Sequence, residues 1–473
     1  TQRLPELLNA QQYTDLKNEG LKNNNSYNTD PNDGITDTYF ALTNGPDGKP
    51  IDTRWYDHVY RTGISHNHTI NVSGANDNTN YYFSANYTDQ QGVIKRNDFK
   101  RQGILFNIDQ KVTKWFNVGG KINYSNEKNL AAASSGSLPG EAFATGGLGR
   151  VVMVLPPNVA PYNNDGTFNA SSGTIGPMNN KIAGGFSYYN PALSLKYNRA
   201  NTEMNHVMAN AYGQVKPFSW LTLRSVFSVD YIYVDNESYS HQLTGEGAAS
   251  TGSATSTFNK NKRTVWTNTA SYDQVFLDKH TVQLMLGAEE QRSTATGFGL
   301  NRTNVSDPYF VNIQSAWANV ATSGSSLGEN YLYSQFASVR YNYENKYYIS
   351  GNVRQDEYSG LGYNNRKGTF YGVSGGWEIA NENFWTKAGF DKLFNSFRIR
   401  GSYGKVGNIG GIGNNESYTT YSGGTYGGSP TLNYNNLGNP ALEWEPSKKF
   451  DVGLAFAVLN DRISVEFNYY KNT

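Results

Sequence analysis

Residues 448–471 read KKFDVGLAFAVLNDRISVEFNYYK, and this stretch decides the fold. Apolar side chains occupy every second position on both sides of Asn460-Asp461, a residue pair that favours a tight turn. These side chains are Phe450, Val452, Leu454, Phe456, Val458, Ile463, Val465, Phe467 and Tyr469. The residues between them are small or polar, so only one face of each strand is continuously apolar. The stretch therefore predicts a transmembrane β-barrel hairpin with a two-residue turn at Asn460-Asp461.

Similar stripes recur along most of the chain, each about ten residues long, which is the length that crosses a bilayer at a steep tilt. Clear examples are centred on Phe83, Phe106, Ile122, Phe227, Leu284, Ile349, Val373 and Ile399. Leu105 is an exception, because it falls on the polar face of its strand. With the weaker runs included, the pattern predicts an all-β, antiparallel transmembrane β-barrel of about fourteen strands, with the apolar stripes facing outward.

The composition fits a barrel better than the alternatives. The chain has 473 residues and a mean hydropathy of −0.63, and no apolar run approaches the length of a transmembrane helix. Its 35 tyrosines suit the interfacial girdles of a barrel, the alternative being a tyrosine-rich soluble β protein or lectin. A net charge of +1 without a dense basic stripe excludes nucleic acid as an expected partner. The absence of cysteine excludes disulfides and thiolate metal sites, and no cofactor is predicted.

Short and long connections alternate along the chain, and this asymmetry orients the predicted barrel. The short ones are 75–78, 112–114, 217–219, 277–279, 344–346 and 460–461. The long ones are 126–203, 235–261, 292–330, 357–367 and 405–447. Because bacterial barrels have short periplasmic turns and long extracellular loops, the second set is expected outside. The connection 381–395 is longer than its predicted periplasmic side requires.

Two short helices are predicted before the first complete hairpin. Asn9 can cap a helix over 10–18, with Gln12 at the capping-box position. Asp52 can cap a second helix over 53–61, in which Trp55 and Val59 lie one turn apart.

Several segments, in order along the chain, resemble one family, the SusC-like (RagA-like) TonB-dependent outer-membrane transporters of Bacteroidota. The segments are WYD (55–57), HNHTINVSG (66–74), TNYYF (79–83), QGVIK (91–95), GWEI (376–379), RGSYGKVGN (400–408) and NPALEWE (439–445). The resemblance implies a multi-pass protein of the Gram-negative outer membrane, with a 22-stranded barrel and an N-terminal plug. It also implies a SusD-like surface lipoprotein as partner and energy supplied by the TonB complex.

The same resemblance divides the chain. Residues 1–65 are expected to be a loop segment with two short helices, and residues 66–473 an incomplete TonB-dependent receptor-type barrel. The plug, the TonB box and a signal peptide are expected before Thr1, and about seven further strands after Thr473. TonB would then act through the N-terminal region outside this sequence.

No catalytic or metal site is predicted. Gly372-Val373-Ser374-Gly375-Gly376 matches the G-x-S-x-G elbow of hydrolases, but its serine falls inside a continuing strand rather than at a strand-to-helix turn. His66 and His68 share one face of a strand without a third ligand at a convincing spacing.

Aromatic side chains in the long loops are the candidate ligand-binding residues, because sugar rings stack on aromatic faces. They are Tyr162, Phe168, Tyr188, Tyr189, Tyr418 and Tyr421. Loop packing or contact with the lipoprotein lid is the alternative role for each of them. The leading hypothesis for function is uptake of oligosaccharides, or less often peptides, through the lipid bilayer. The alternatives are a structural subunit of an outer-membrane assembly or secretion complex, and a passive porin.

Overall fold

The computed structural model describes residues 4–131, 147–307, 309–322 and 326–473. These residues contain seventeen strands, of which fifteen form one antiparallel sheet. The strands are β1 Ser65–Ala75, β2 Thr79–Gln91, β3 Asp98–Lys111, β4 Phe116–Leu130, β5 Arg199–Phe218, β6 Leu221–Ser240, β7 Ser253–Phe276, β8 His280–Val305, β9 Trp317–Thr322, β10 Ser326–Tyr343, β11 Tyr347–Tyr358, β12 Lys367–Glu378, β13 Phe394–Asn408, β14 Thr420–Tyr426, β15 Ser429–Asn436, β16 Glu445–Val458 and β17 Ile463–Asn472. Fourteen of them follow one another across the sheet in chain order, which confirms the predicted number. Strand β9 pairs only with β8, and β14 and β15 form a separate hairpin.

The helices are short and lie mostly outside the sheet. They are α1 Ala10–Asn23, α2 Trp55–Val59, α3 Leu148–Val154, α4 Pro191–Tyr197, α5 Gly245–Ala248 and α6 Asn383–Lys387, with 3₁₀ turns at Tyr363–Asn365, Ile379–Asn381 and Phe390–Lys392. In the described part of the chain, no helix is long and apolar enough to cross a membrane.

The sheet keeps its apolar residues on the outward face, as predicted. In β11, Val353 is 45% exposed, whereas Asp356, on the opposite face of the same strand, is 8% exposed. Ser334 of β10, which pairs with Asp356, is fully buried. The polar face is therefore the enclosed one, as expected on the inner side of a curved sheet. Strand register aligns the outward stripes across neighbours, for example Val373 with Tyr403.

The strands β5 to β8 run beyond the predicted loop boundaries, which corrects two of the expected long connections. Strand β6 continues to Ser240 and β7 begins at Ser253, so the loop predicted over 235–261 is reduced to 241–252. Strand β8 has 26 residues, and β9 occupies part of the loop predicted over 292–330. The extensions are rich in threonine, serine and asparagine, whose alternation carries no apolar signal although threonine favours strands.

The last short turn is also longer than predicted. It comprises residues 459–462 rather than Asn460-Asp461 alone, and Leu459, Asn460 and Asp461 all have positive φ. Leucine rarely adopts this left-handed conformation, so Leu459 gives no sequence signal that the turn begins there. The exceptional connection after β12 contains helix α6, whose Trp385 is buried against Phe394 and Phe397.

The apolar core lies outside the sheet, in a unit made of residues 4–62 and 147–198, which we call the cap. Its buried residues are Trp55, Tyr56, Val59, Leu148, Val151, Val152, Leu155, Val159, Ile175, Phe186, Tyr189 and Leu195. The cap includes the connection between β4 and β5, and therefore lies at the end of the sheet that carries the long connections. Arg61 and Asp98 form an ion pair that fixes the cap to the start of β3.

Helix α1 confirms the first predicted helix and extends it to Asn23, with the Asn9–Gln12 capping box formed. The second prediction was wrong in its boundaries, since α2 comprises only Trp55–Val59 and has no side-chain cap. Asp52 instead accepts a hydrogen bond from the backbone N–H of Ala10 at 2.8 Å, and so caps α1. A carboxylate at that position stabilises the positive end of the helix.

Candidate functional site

A tight turn in the cap brings Tyr162 and Phe168 together. The backbone N–H of Asn163 donates to the carbonyl of Thr167 at 2.8 Å, which closes the turn. Asp165 accepts hydrogen bonds from the hydroxyl and the backbone N–H of Thr167, and these bonds lower the pKa of its carboxyl. The two rings flank the turn with centroids 4.9 Å apart. The polar turn thus presents a pair of aromatic faces.

Three residues that the sequence analysis missed extend this pair. The ring of Tyr197, at the end of α4, meets Phe168 edge-on at 5.8 Å and stacks on His241 at 4.6 Å. The ammonium group of Lys196 lies 5.3 Å from the ring centroids of both Phe168 and Tyr197. Burial lowers the pKa of His241, whose Nδ1 accepts a hydrogen bond from the backbone of Leu243. We call Tyr162, Phe168, Lys196, Tyr197 and His241 the aromatic row.

The aromatic row combines flat apolar faces with one cation. Aromatic faces stack on sugar rings and on apolar side chains of peptides, and a lysine beside them can bind an anionic group of the same ligand. In the sequence, Lys196 and Tyr197 are adjacent within the predicted long connection 126–203. His241 carried no sequence signal, because its contact with Tyr197 depends on the fold.

The structure separates the other four predicted site residues from this row. Tyr189 is buried in the core of the cap, and Tyr188 packs against that core. The hydroxyl of Tyr418 accepts a hydrogen bond from Arg366 at 2.7 Å. Tyr421 meets Tyr434 on the β14–β15 hairpin at 6.4 Å, with both rings about 60% exposed. Within the described residues, no ring contact joins the Tyr418 and Tyr421 region to the aromatic row.

The inward face of the sheet, which we call the inward wall, carries charged side chains that are held by hydrogen bonds to their neighbours. Arg354 donates to Asp356 at 2.6 Å and to the hydroxyl of Ser334 at 2.7 Å, and its guanidinium lies over the ring of Phe336. The ring of Phe336 in turn covers Gly287, where a β-carbon would not fit. Because each of these charges has a partner, burying them costs less free energy of desolvation than burying isolated ions would.

Nearer the short turns, the inward wall encloses a groove of about 650 Å³. Its polar lining includes Thr281, Gln283, Arg340, Asn342, Ser350, Ser374, Arg398, Arg400, Ser402 and Asp451. Arg398 is paired with Glu378 at 2.8 Å and Arg400 with Glu466. Hydroxyl and guanidinium donors of this kind suit hydroxyl-rich or anionic solutes passing along the wall.

The motifs weighed for catalysis and metal binding have structural environments. Ser374 lies within β12, and its hydroxyl is 2.7 Å from that of Ser350 on the neighbouring strand. The rings of His66 and His68 stack at 6.2 Å on β1. In the ranges that the structure describes, no group of three or more His, Cys, Asp or Glu side chains is placed to hold a metal ion.

Charged side chains link neighbouring short turns at the opposite end of the sheet. Glu344, between β10 and β11, accepts hydrogen bonds from Lys279 at 2.7 Å and Lys346 at 3.0 Å. These two bonds lower the pKa of Glu344 to about 2. The backbone N–H of Glu344 also donates to the carbonyl of Lys279 at 2.9 Å, so the two turns are joined twice.

A large antiparallel sheet with an outward apolar face, an inward polar face, short turns at one end and long connections at the other defines an outer-membrane β-barrel protein. Comparison with solved structures supports the fold. The RagAB peptide importer in its "open-open" state matches 99% of this chain and 49% of that chain, with a TM-score of 0.74 at 22% identity. The RagAB peptide transporter matches 89% of this chain and 45% of that chain, with a TM-score of 0.71 at 23% identity.

Sequence comparison identifies the relatives. TonB-dependent receptor P3 of Formosa agariphila is 28% identical over 430 residues, covering 89% of this chain and 41% of the relative. TonB-dependent receptor SusC of Bacteroides thetaiotaomicron is 27% identical over 453 residues, covering 89% of this chain and 42% of the relative. No family model matches the chain. The chain is thus a homologue of SusC-like TonB-dependent receptors, as its motifs predict, and spans about two-fifths of the length of these relatives.

The relatives and the fold together indicate that the chain lies in the outer membrane, which confirms the predicted location. The names of these relatives are those of receptors and an importer, and none is the name of an enzyme.

Proposed function

We propose that this chain forms part of the barrel wall and the extracellular loops of a TonB-dependent importer for oligosaccharides or peptides. The aromatic row supports this function most directly. Four of its five residues lie in the cap, at the end of the sheet where solutes would enter, and the inward wall carries polar side chains such as Arg354 and Asp356. A solute bound by stacking at the entrance would then meet hydroxyl and guanidinium donors on the wall.

The proposed arrangement keeps the division expected from the sequence. Residues 1–65 belong to the loop region and residues 66–473 to the barrel, with a plug contributed by the region before Thr1. A SusD-like surface lipoprotein is the proposed partner at the long connections, and the TonB complex the proposed energy source. Similarity to proteins named SusC and RagAB supports this arrangement for the whole protein. Tyr162 and Phe168 keep their proposed ligand role, whereas Tyr418 and Tyr421 suit contact with the lipoprotein.

The test uses the complete gene product in its native host, with a double variant in which Tyr162 and Phe168 become alanine. Growth on candidate glycans and peptides should slow in this variant while the barrel remains in the membrane. Tyr309→Ala is the matched control, because Tyr309 is 86% exposed in the connection between β8 and β9, outside both the aromatic row and the β14–β15 hairpin. Equal growth of the double variant and the control on every substrate that requires the protein would contradict the role of the aromatic row.

A second arm of the experiment tests the partners. Deletion of residues 420–436 removes only the separate two-stranded sheet and leaves the ladder of the main sheet intact. The deletion should weaken co-purification of a surface lipoprotein, because exposed loops supply contact area. If the intact protein binds no lipoprotein, a structural subunit becomes the better assignment. Uptake that persists without TonB would instead indicate a passive porin.

A further inference from the structure

Two lysines on β7 lie at one level of the outward face, directly above the apolar band. Strand register places Trp266 opposite Phe227, Lys262 opposite Tyr231 and Lys260 opposite Tyr233. Below them, Tyr272 and Trp220 contact each other near the short turns and mark the lower aromatic girdle. From Tyr272 to Lys262 the strand rises about 34 Å, or about 26 Å along the membrane normal at a tilt of about 40°. That height matches the apolar band of a barrel, so both lysines lie at the outer interface.

These lysines have no partner among the described residues. Lys260 and Lys262 are exposed, and neither forms an ion pair or a side-chain hydrogen bond there. Arg263 lies next to Lys262 in sequence but faces inward, where it pairs with Asp230 at 3.2 Å. Of the outward carboxylates nearby, Glu329 contacts Arg292 and Glu203 contacts Lys128, while Asp235 interacts with the hydroxyl of Tyr233 and Glu290 with that of Tyr331. Two positive charges therefore remain free on this part of the outward face.

Aromatic rings lie above the lysines as well as below them. Phe258 and Phe298 pair across β7 and β8 with centroids 6.1 Å apart, and Phe298 is 43% exposed. Tyr233 stacks on Phe258 at 6.2 Å. The outward face thus shows, in ascending order, an apolar surface with Trp266, two free ammonium groups and a set of exposed aromatic faces.

We propose that Lys260 and Lys262 bind the phosphate of a phosphorylated glycolipid in the outer leaflet. Its acyl chains lie along the apolar rows below, its phosphate contacts the two ammonium groups, and its sugars lie against Phe258 and Phe298. Thr296, which pairs with Lys260 on β8, adds a hydroxyl donor to the same level, whereas the hydroxyl of Thr294 donates to Glu329. Attraction between basic side chains and anionic headgroups at a membrane surface contributes to binding for each lysine. This lipid site is independent of the proposed transport substrate.

The test measures glycolipid binding by the complete protein in detergent micelles with native mass spectrometry. The probes are bis-phosphorylated lipid A and the same lipid after removal of its phosphates. We expect the wild type to prefer the phosphorylated form, and the double variant K260Q/K262Q to bind it about tenfold more weakly. A K260E/K262E variant should bind still more weakly, and raised salt should reduce the wild-type preference.

Lys121→Gln is the matched control, because Lys121 pairs with Asn107 and Asn210 on the inward face. It should bind the phosphorylated lipid as the wild type does. Equal binding by the wild type and both double variants would overturn the proposal, as would equal binding of the two lipids by the wild type. Loss of an acidic protein partner in the double variants, with lipid binding unchanged, would assign the lysines to that protein instead.

Discussion

The cap and the sheet bury their apolar residues in opposite directions. In the cap, Val59, Val151 and Val159 are fully buried in the core of that unit. In the sheet, Ile349 and Val373 are more than half exposed on the outward face, while Ser334 is fully buried on the inward side. Each arrangement removes apolar surface from water, the cap by packing on itself and the sheet by contact with lipid. One chain therefore contains an apolar core of the kind found in water-soluble proteins and an apolar exterior of the kind that faces lipid.

The difference implies that the two regions respond separately to damage. Trp55→Ala should have the largest local effect, since it removes a buried indole and the hydrogen bond that its Nε1 donates to the carbonyl of Pro156 at 2.9 Å. A cost of about 3–5 kcal/mol to the cap is expected for such a truncation. Hydrogen-exchange mass spectrometry on the complete protein should show lost protection in 148–155 and unchanged protection in the strands. Parallel loss of protection in both regions would mean that the cap and the sheet form one cooperative unit.

The sequence predicted the sheet well and the cap poorly, for a physical reason. Strand residues such as Phe450 and Val452 alternate with a period of two, and this local pattern predicts the face and the number of strands. The cap has no such period, because its core joins Trp55 to Val151 and Ile175 across long separations in the chain. The aromatic row has the same origin, since His241 reaches Tyr197 only through the fold. The strand extensions were missed because threonine and asparagine continue a ladder without apolar alternation.

A charge placed on each face of the sheet tests the assigned orientation. Val452→Arg should destabilise the protein by about 2–4 kcal/mol, because Val452 faces lipid near the middle of the band, with Phe456 below it and Phe450 above. Ser402→Arg is the control at the same level, since Ser402 pairs with Asp451 on the inward face. Folding titrations of the complete protein into lipid vesicles measure both variants. Similar losses from the two substitutions would contradict the assignment of the faces.

The smallest expected effect concerns the short turns at 277–279 and 344–346, at the periplasmic rim of the sheet. Charged side chains, rather than apolar packing, link these two turns. Hydrogen bonds from Lys279 and Lys346 lower the pKa of Glu344 to about 2 from an ordinary value of 4.5. A carboxyl with a lowered folded-state pKa stabilises the fold fully above its ordinary value, and this contribution disappears as the pH falls through the folded-state value. The thermal midpoint of the wild type should therefore fall between pH 4.5 and pH 2 by more than that of Glu344→Gln.

Asp461→Asn is the control, because Asp461 lies in another short turn of the same rim and has no ion-pair partner in the described ranges. The difference should be small, since exposed ion pairs contribute little to stability, and it should shrink further at high salt. Identical pH profiles for the wild type and Glu344→Gln would show that the backbone bond between Glu344 and Lys279 holds these turns without help from the side chains.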